Sequence, residues 1–497
     1  MQQITEVIEK AIGSIPFEQL LREFMLYSTK EPWFFTEFSF LFVFGIFLFF
    51  YAILFTQNSL RKIYLIAFSL FFYYKSSGPF LVLFLFQIGV DFFFAQRIDR
   101  TEGTSKRVWA TIAVLFSLSF LLYFKYANFI LANTNWLLLT HFEPVDLFLP
   151  IGISFYTFQS ISYVVDVYRK EIRSSTNFLD YAFYMTFFPH LVAGPIVRAK
   201  DFLGQINSPE SPDARRYKES LFRIISGLLK KLLIADYLGK YVDMVFENPA
   251  FYTGGENILA AIAYSFQIYF DFSGYSDIAI GLALLLGYRL KENFDNPYGS
   301  SNVTEFWRKW HISLSSWLRD YVYIPLGGNR KGSFNTYLFL FLTMLIGGFW
   351  HGASWQFVLW GAAHGLALAF HKSLHKHLPN GRLMDFLGGI ITFVFVTFCW
   401  IFFRARDFDT ALIMLNQMFT LTSEVDFMGF WFSRNELAIL LIGLLIWIII
   451  PSNWKQKGFE TSFYIPSFFW FIFLFTALQL IIQFRDTLVQ PFIYFQF

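Results

Sequence analysis

The sequence predicts an all-α, polytopic membrane fold of about 11–12 transmembrane helices with re-entrant segments. Three observations carry that prediction. Hydrophobic residues make up 56% of the 497, aromatics reach 22% through 70 Phe, 26 Tyr and 14 Trp, and charged residues stop at 15%, too few to cover soluble domains. About a dozen apolar runs approach the roughly 17–25 residues that cross a bilayer. Lys and Arg cluster in short connections between those runs, as they do on the inner side of a membrane.

The same composition excludes other classes. Lys and Arg number 39 against 36 Asp and Glu, and a net charge of +3 offers no basic field for nucleic acid. The single cysteine, Cys399, lies in the apolar run 393–403, which excludes disulfides, CxxC redox chemistry and thiolate metal clusters. Residues 1–33 carry Glu6, Glu9, Glu18, Glu23 and Glu31 ahead of any long apolar run, unlike the basic-then-apolar opening of a secretory signal. They are expected to stay uncleaved.

In chain order the apolar runs fall at 34–55, 63–74, 79–94, 108–131 and 147–168, then at 221–246, 258–288, 334–350, 355–370, 386–403, 437–450 and 468–482. The connection with Arg97, Arg100, Lys106 and Arg107 is assigned to the cytoplasm, as are Arg61 and Lys62, which leaves 1–33 extracytoplasmic. Arg169, Lys170 and Arg173 fall inside by parity. Arg198, Lys200, Arg215, Arg216 and Lys218 fall inside by charge, although the apolar run 178–196 separates the two groups. One crossing cannot satisfy both, so 183–195 reads as a re-entrant segment broken at Pro189, Gly194 and Pro195. Irregular backbone at membrane depth needs protein or water over it, so this segment should line an internal cavity. With no repeat, linker or soluble domain visible, 1–497 reads as one membrane domain.

Between 289 and 331 the apolar pattern yields to a polar, aromatic stretch assigned to the cytoplasm. Trp307, Trp310, His311, Trp317 and Tyr321 recur at three- and four-residue steps with Arg308, Lys309, Arg319 and Asp320 between them. Taken alone, that is an amphipathic helix in the interface, with aromatic anchors and snorkelling bases. Further on, Gly347-Gly-Phe-Trp-His351-Gly-Ala-Ser-Trp355 joins two apolar runs. An ionisable side chain there marks a pathway or a catalytic centre, and a neutral imidazole accepts protons near pH 7. The competing reading is a structural histidine bonded to a carbonyl. His364, within Gly361-Ala-Ala-His-Gly365, reads as close helix packing. His371, His375 and His377 are placed at the cytoplasmic surface, and no Asp, Glu or Cys within that cluster completes a metal site. Asp91, Asp166, Asp271 and Asp277 admit an ion-relay reading, that of a lipid or ion transporter, but pairing with buried hydroxyls or bases is favoured.

The runs Leu149-Pro-Ile-Gly-Ile-Ser-Phe-Tyr-Thr-Phe-Gln159, Phe187-Phe-Pro-His-Leu-Val-Ala-Gly-Pro195 and Phe270-Asp-Phe-Ser-Gly-Tyr-Ser-Asp277, with the two histidine segments, resemble the membrane-bound O-acyltransferase (MBOAT) family from about Asp91 onward. Chain length, the ending Pro325-Leu-Gly-Gly328 and the C-terminal run Pro491-Phe-Ile-Tyr-Phe-Gln-Phe497 resemble the bacterial alginate O-acetylation branch more than the shorter branch that moves D-alanine onto teichoic acids. The resemblance implies the MBOAT fold and an acyl group, expected to be acetyl, taken from a cytoplasmic thioester. Acetyl-coenzyme A is the expected donor substrate, with no permanently bound cofactor and no metal. It further implies an exported cell-envelope polysaccharide as acceptor, an extracytoplasmic acyltransferase partner, and residence among the lipids of the bacterial inner membrane.

The two characteristic histidines of the family map onto His311 and His351, the second as the catalytic residue; His190 receives no catalytic role. An imidazole base activating a hydroxyl needs a donor for the developing oxyanion, and Trp350, Trp355 or the amides after Gly347 and Gly348 are the candidates. Trp307, Arg308, Lys309, Trp310, Arg319 and Asp320 are expected around the acyl donor, the bases suiting a phosphorylated carrier. At about 1.5 Å per residue, an unbroken helix would carry His351 about 25 Å from Phe334. A mid-membrane site then calls for a kink or a tilt, and Gly347 and Gly348 could supply a break.

Overall fold

The computed structural model describes residues 25–28, 32–192, 194–211, 213–374, 377, 379, 381–420, 435–450, 452–484 and 492–493. The five glutamates of the acidic N-terminal segment, His375, and all but two residues of the C-terminal run 491–497 lie outside the described residues.

Each apolar run becomes helix, and no strand occurs among the described residues. The chain opens with α1 (Phe38–Leu54), α2 (Asn58–Ser77) and α3 (Phe80–Asp99). Next, α4 (Gly103–Leu121) runs through a π-helical turn, Leu122–Tyr126, into α5 (Ala127–Leu138), and α6 (Ile153–Tyr168) packs on α3 and α4. The next run divides into α7 (Phe178–Thr186) and α8 (Phe188–Leu191), and the chain returns to α9 (Ala199–Phe202). Nine residues of α7 rise only about 14 Å, half of a bilayer core. Glu171 before the segment and Lys200 after it pair at 2.7 Å, so it leaves and re-enters at one face, as a re-entrant segment must. Its tip is held by Phe188, whose ring lies 5.2–6.1 Å from those of Phe35, Phe40, Phe44, Phe68 and Phe72.

Beyond it, α10 (Ala214–Leu228) continues through a second π turn, Leu229–Ala235, into α11 (Asp236–Glu247). The 32-residue α12 (Gly254–Leu285) is the hub. Thr253 and Glu256 start it with a reciprocal capping box, and α8, α10, α11, α18 (Arg382–Arg404) and α19 (Phe408–Thr420) pack around it. Its apolar window is 89% buried, against 17–44% for the other five helices long and apolar enough to cross a membrane. Those five are α3, the α4–α5 rod, α16 (Ser333–His351), α18 and α22 (Ser467–Phe484), six candidate spans in all among the described residues. The remaining apolar runs form helices that are shorter or broken, or that carry charge into the interior, as α2 does with Arg61, Lys62 and Lys75. That is why the span count by length and apolarity falls below the dozen runs. Between α19 and α22 lie α20 (Asn435–Ile449) and α21 (Ser452–Ser462).

Two local expectations are corrected. Segment 289–331 is no interfacial helix. It folds as α13 (Val303–Lys309) and α14 (Ile312–Leu318), then a π turn, Arg319–Tyr323, and α15 (Ile324–Leu326). His311 breaks the periodicity with φ 43°, and the break is pinned where Ile312 N–H reaches the Asn293 carbonyl at 2.9 Å and Asp295 N–H that of Lys309 at 3.0 Å. Trp307, Trp310 and Trp317 turn into the core instead of anchoring to an interface. The second correction concerns α16, which runs unbroken to His351. Its glycines serve contact with α17 (Trp355–Leu374): a Cβ on Gly348 would sit 2.8 Å from Gly361 Cα, so only glycine lets the helices approach this closely.

Candidate active site

Because α16 has no kink, the polar segment comes to His351 instead. The αL turn at His311 drops its ring among Phe272 (centroids 4.6 Å), Phe294 and Trp350 (6.4 Å each), and the residue is fully buried. Asn293 Oδ1 lies 3.2 Å from His311 Nδ1 and accepts from Ser313 Oγ at 2.8 Å. An amide oxygen can only accept, so the Nδ1 facing it carries a hydrogen.

His351, the last residue of α16, is 4% exposed, with Trp350, Trp360 and Phe403 around it at 5.0, 5.1 and 5.3 Å. Trp350 therefore bridges the two histidines. Trp360 in turn touches His364 at 4.8 Å, and His364 Nδ1 accepts from Trp307 Nε1 at 3.2 Å. The result is a wall of indoles and imidazoles closed to solvent. Among the described residues, Trp350 Nε1 and Trp360 Nε1 are buried N–H groups with no acceptor, an uncommon condition that costs about 1–3 kcal/mol each unless a ligand supplies one.

Two clefts lie on the outer side of this wall, and the larger includes one of its rings, that of Trp307. The larger, about 540 Å³, is lined by Trp307, Arg308, Ser315, Ser316, Arg319, Met344, His371 and Lys372 among others. The smaller, about 330 Å³, is lined by Arg198, Asp201, Arg289, Lys291 and Ser313. Both include Ile312, Ser316 and Arg319, so α14 is the partition between them. Arg319 is held at that junction by Asp320, which also takes Arg198 Nη1 at 2.5 Å. Burial pushes the Asp320 carboxyl up, but hydrogen bonds from Arg319 and Arg198 outweigh it and hold the group below its ordinary value of 3.8.

The expected site residues thus separate. Trp307, Arg308 and Arg319 line the larger cleft, and Trp350 stands beside His351. Lys309 pairs with Glu305 at 2.8 Å, and Asp320 holds Arg319; neither lines either of these two clefts. Trp310 is packed against Trp400 at 5.1 Å and Phe306 at 5.5 Å. Trp355 is 62% exposed, and its Nε1 donates to Asn133 at 3.0 Å. The amides after Gly347 and Gly348 are consumed inside the unbroken helix, which removes them as donors. His190 bonds the Tyr184 carbonyl at 2.9 Å, and His371 meets Thr304 Oγ1 at 2.8 Å. The four acids are paired as favoured, Asp271 with Lys231, Asp277 with Lys230, Asp166 with Tyr321 and Asp91 with Ser160.

Two residues beside His351 escaped the sequence reading. Trp360 could have been found as the residue four before His364, on the same face of α17. Lys125 could have been found as a lone cation inside the apolar run 108–131, a placement that is seldom accidental. Its Nζ donates to the Trp350 and His351 carbonyls at 2.8 and 2.7 Å.

Fold and site define a class: all-helical, multi-pass membrane proteins that bury a histidine pair among aromatic rings. The model of the MBOAT, membrane-bound O-acyltransferase family, matches residues 110–406, and the chain belongs to that family. It is an O-acyltransferase. The Pseudomonas aeruginosa protein named "Probable alginate O-acetylase AlgI" is 42% identical over 400 residues, covering 78% of this chain and 74% of the relative. A Helicobacter pylori protein named "Peptidoglycan O-acetyltransferase" is 38% identical over 387 residues, 72% and 73% of the two chains. A Bacillus subtilis protein named "Teichoic acid D-alanyltransferase" is 28% identical over 288 residues, 54% of this chain and 72% of its own.

Proposed function

We propose that this O-acyltransferase moves an acetyl group from a cytoplasmic thioester, acetyl-coenzyme A, toward a hydroxyl on an exported cell-envelope polysaccharide, with His351 as the general base. The supporting observation is the flanking of His351 by Trp350 and Trp360, whose buried indole N–H groups have no acceptor among the described residues. An acyl oxygen that gains negative charge is the acceptor such donors lack.

In the proposed reaction the neutral His351 imidazole takes the proton of an acceptor hydroxyl as its oxygen attacks the thioester carbonyl. The tetrahedral oxyanion forms against an indole N–H. It collapses by expelling the thiolate, which recovers the proton from His351, so ester and free thiol leave together. His311, held through Nδ1 by Asn293, presents Nε2 and orients the thioester. The cleft with Arg308, Arg319 and Lys372 suits the phosphates of coenzyme A, and Trp307 leads inward from it. Residues 1–497 act here as one membrane domain in the bacterial inner membrane, and an extracytoplasmic acyltransferase partner completes delivery to the glycan. The names of the alginate and peptidoglycan relatives support acetyl transfer to a glycan. The transporter reading is disfavoured by the pairing of its acids.

Comparison of O-acetyl esters on surface glycans from cells with and without the gene tests the proposal, and equal ester content would refute it. Purified chain that acetylated glycan efficiently alone would remove the partner.

A further inference from the structure

The end of α16 is capped by another helix. An α-helix leaves its last four carbonyls without partners inside the helix, and the commonest remedy is a left-handed glycine just past the end. Here Gly352 is extended, with φ −160°, and offers no such cap. Three of the four carbonyls are met instead by two consecutive residues of the first π turn. Tyr126 Oη donates to the Phe349 carbonyl at 2.7 Å, and Lys125 Nζ donates to those of Trp350 and His351 at 2.8 and 2.7 Å. The Tyr126 ring stacks on Phe349 at 4.4 Å and 20°, and the ammonium stands 5.9 Å from the Trp350 ring centroid. Among the described residues no carboxylate is in an ion pair with Lys125, and its Nζ is committed to the carbonyl end of α16. The π turn is the device that makes this possible: one extra residue in the turn re-aims side chains, and such turns recur at functional sites.

We infer that Lys125 is a positioning residue for acyl transfer, fixing the backbone of Trp350 and His351 so that base and oxyanion donor keep their relative placement. A misplacement of about 1 Å at a reacting group costs up to about 100-fold in rate. The inference rests on the reading of His351 as the base.

The test uses the full-length chain in detergent with acetyl-coenzyme A as donor and deacetylated alginate plus periplasmic extract to supply the acceptor hydroxyl, following thiol release for wild type, Lys125→Met, Lys125→Arg and His351→Gln at matched protein, with melting temperatures alongside. Lys125→Met is expected to lower kcat by about tenfold or more while the KM for acetyl-coenzyme A stays within about twofold. Its melting temperature should stay near that of wild type. Lys125→Arg, which can still donate to both carbonyls, should recover most of the loss. Wild-type kcat in Lys125→Met overturns the inference. So does a fall in kcat that follows a fall in melting temperature, which makes Lys125 a prop for the fold alone. An arginine variant as slow as Lys125→Met at full stability also overturns it, since the role would then belong to the amine. His351→Gln separates the two levels. An inactive His351→Gln beside a fully active Lys125→Met defeats only the role of Lys125, whereas an active His351→Gln removes the base itself.

Discussion

Trp350 and Trp360 are large enough to build the wall around His351 with their rings alone, so the indole N–H groups can be removed without removing the packing. Trp350→Phe is expected to lower acyl-transfer turnover by about 100-fold, the usual cost of one oxyanion donor, with donor KM nearly unchanged. A kinetic profile with normal kcat would take Trp350 out of the reaction. Asp320 makes a different prediction. Its carboxyl lies below 3.8 because Arg319 and Arg198 favour the anion, so the contribution of that network is present above this value and lost as pH falls below it. Donor KM should therefore not move with this group between pH 6 and 8, and Asp320→Asn should raise it across that whole range by releasing Arg319. At this scale the sequence is legible where burial of a polar side chain is costly, as at His311 and His351. It is silent on Lys125, whose partners are backbone carbonyls more than two hundred residues away.

Two element contacts carry the placement of His351. The α16–α17 seam depends on Gly348 and Gly361, where a methyl group would press on the facing backbone. Gly348→Ala should destabilise by about 1–3 kcal/mol, as overpacking does, and lower activity with it. A thermal melt unchanged by that substitution would show the seam to be loose. The re-entrant tip depends on Phe188, and Phe188→Ala should cost about 3 kcal/mol through the cavity left among five phenylalanine rings. Pro189, Gly194, Pro195 and the flanking bases made the re-entrant segment readable, since breakers and charge parity are local signals. The split of 303–318 into two short helices was not readable. Its tryptophans and histidine keep helical spacing on both sides of the break, and only the tertiary bonds from Asn293 and Asp295 select the αL turn at His311.

Across the whole molecule the apolar runs, and hence the all-helical class, follow from composition because every spanning backbone must satisfy itself. How many runs cross does not, since short helices such as α7 and α8 are apolar through contact with other protein rather than with lipid. Sidedness is testable: cysteines at Arg173 and Arg215 should both react only with reagents that reach the cytoplasm, and labelling from opposite sides would make 178–196 a crossing. The central claim, that His351 is the base of an acyl transfer, is tested most directly by steady-state turnover of His351→Gln against His311→Gln at matched, folded protein. Gln keeps polarity and size but cannot take a proton, so His351→Gln should fall by at least about 100-fold. His311→Gln should chiefly raise donor KM and keep measurable turnover at saturating donor. A His351→Gln enzyme within a fewfold of wild type would contradict the account.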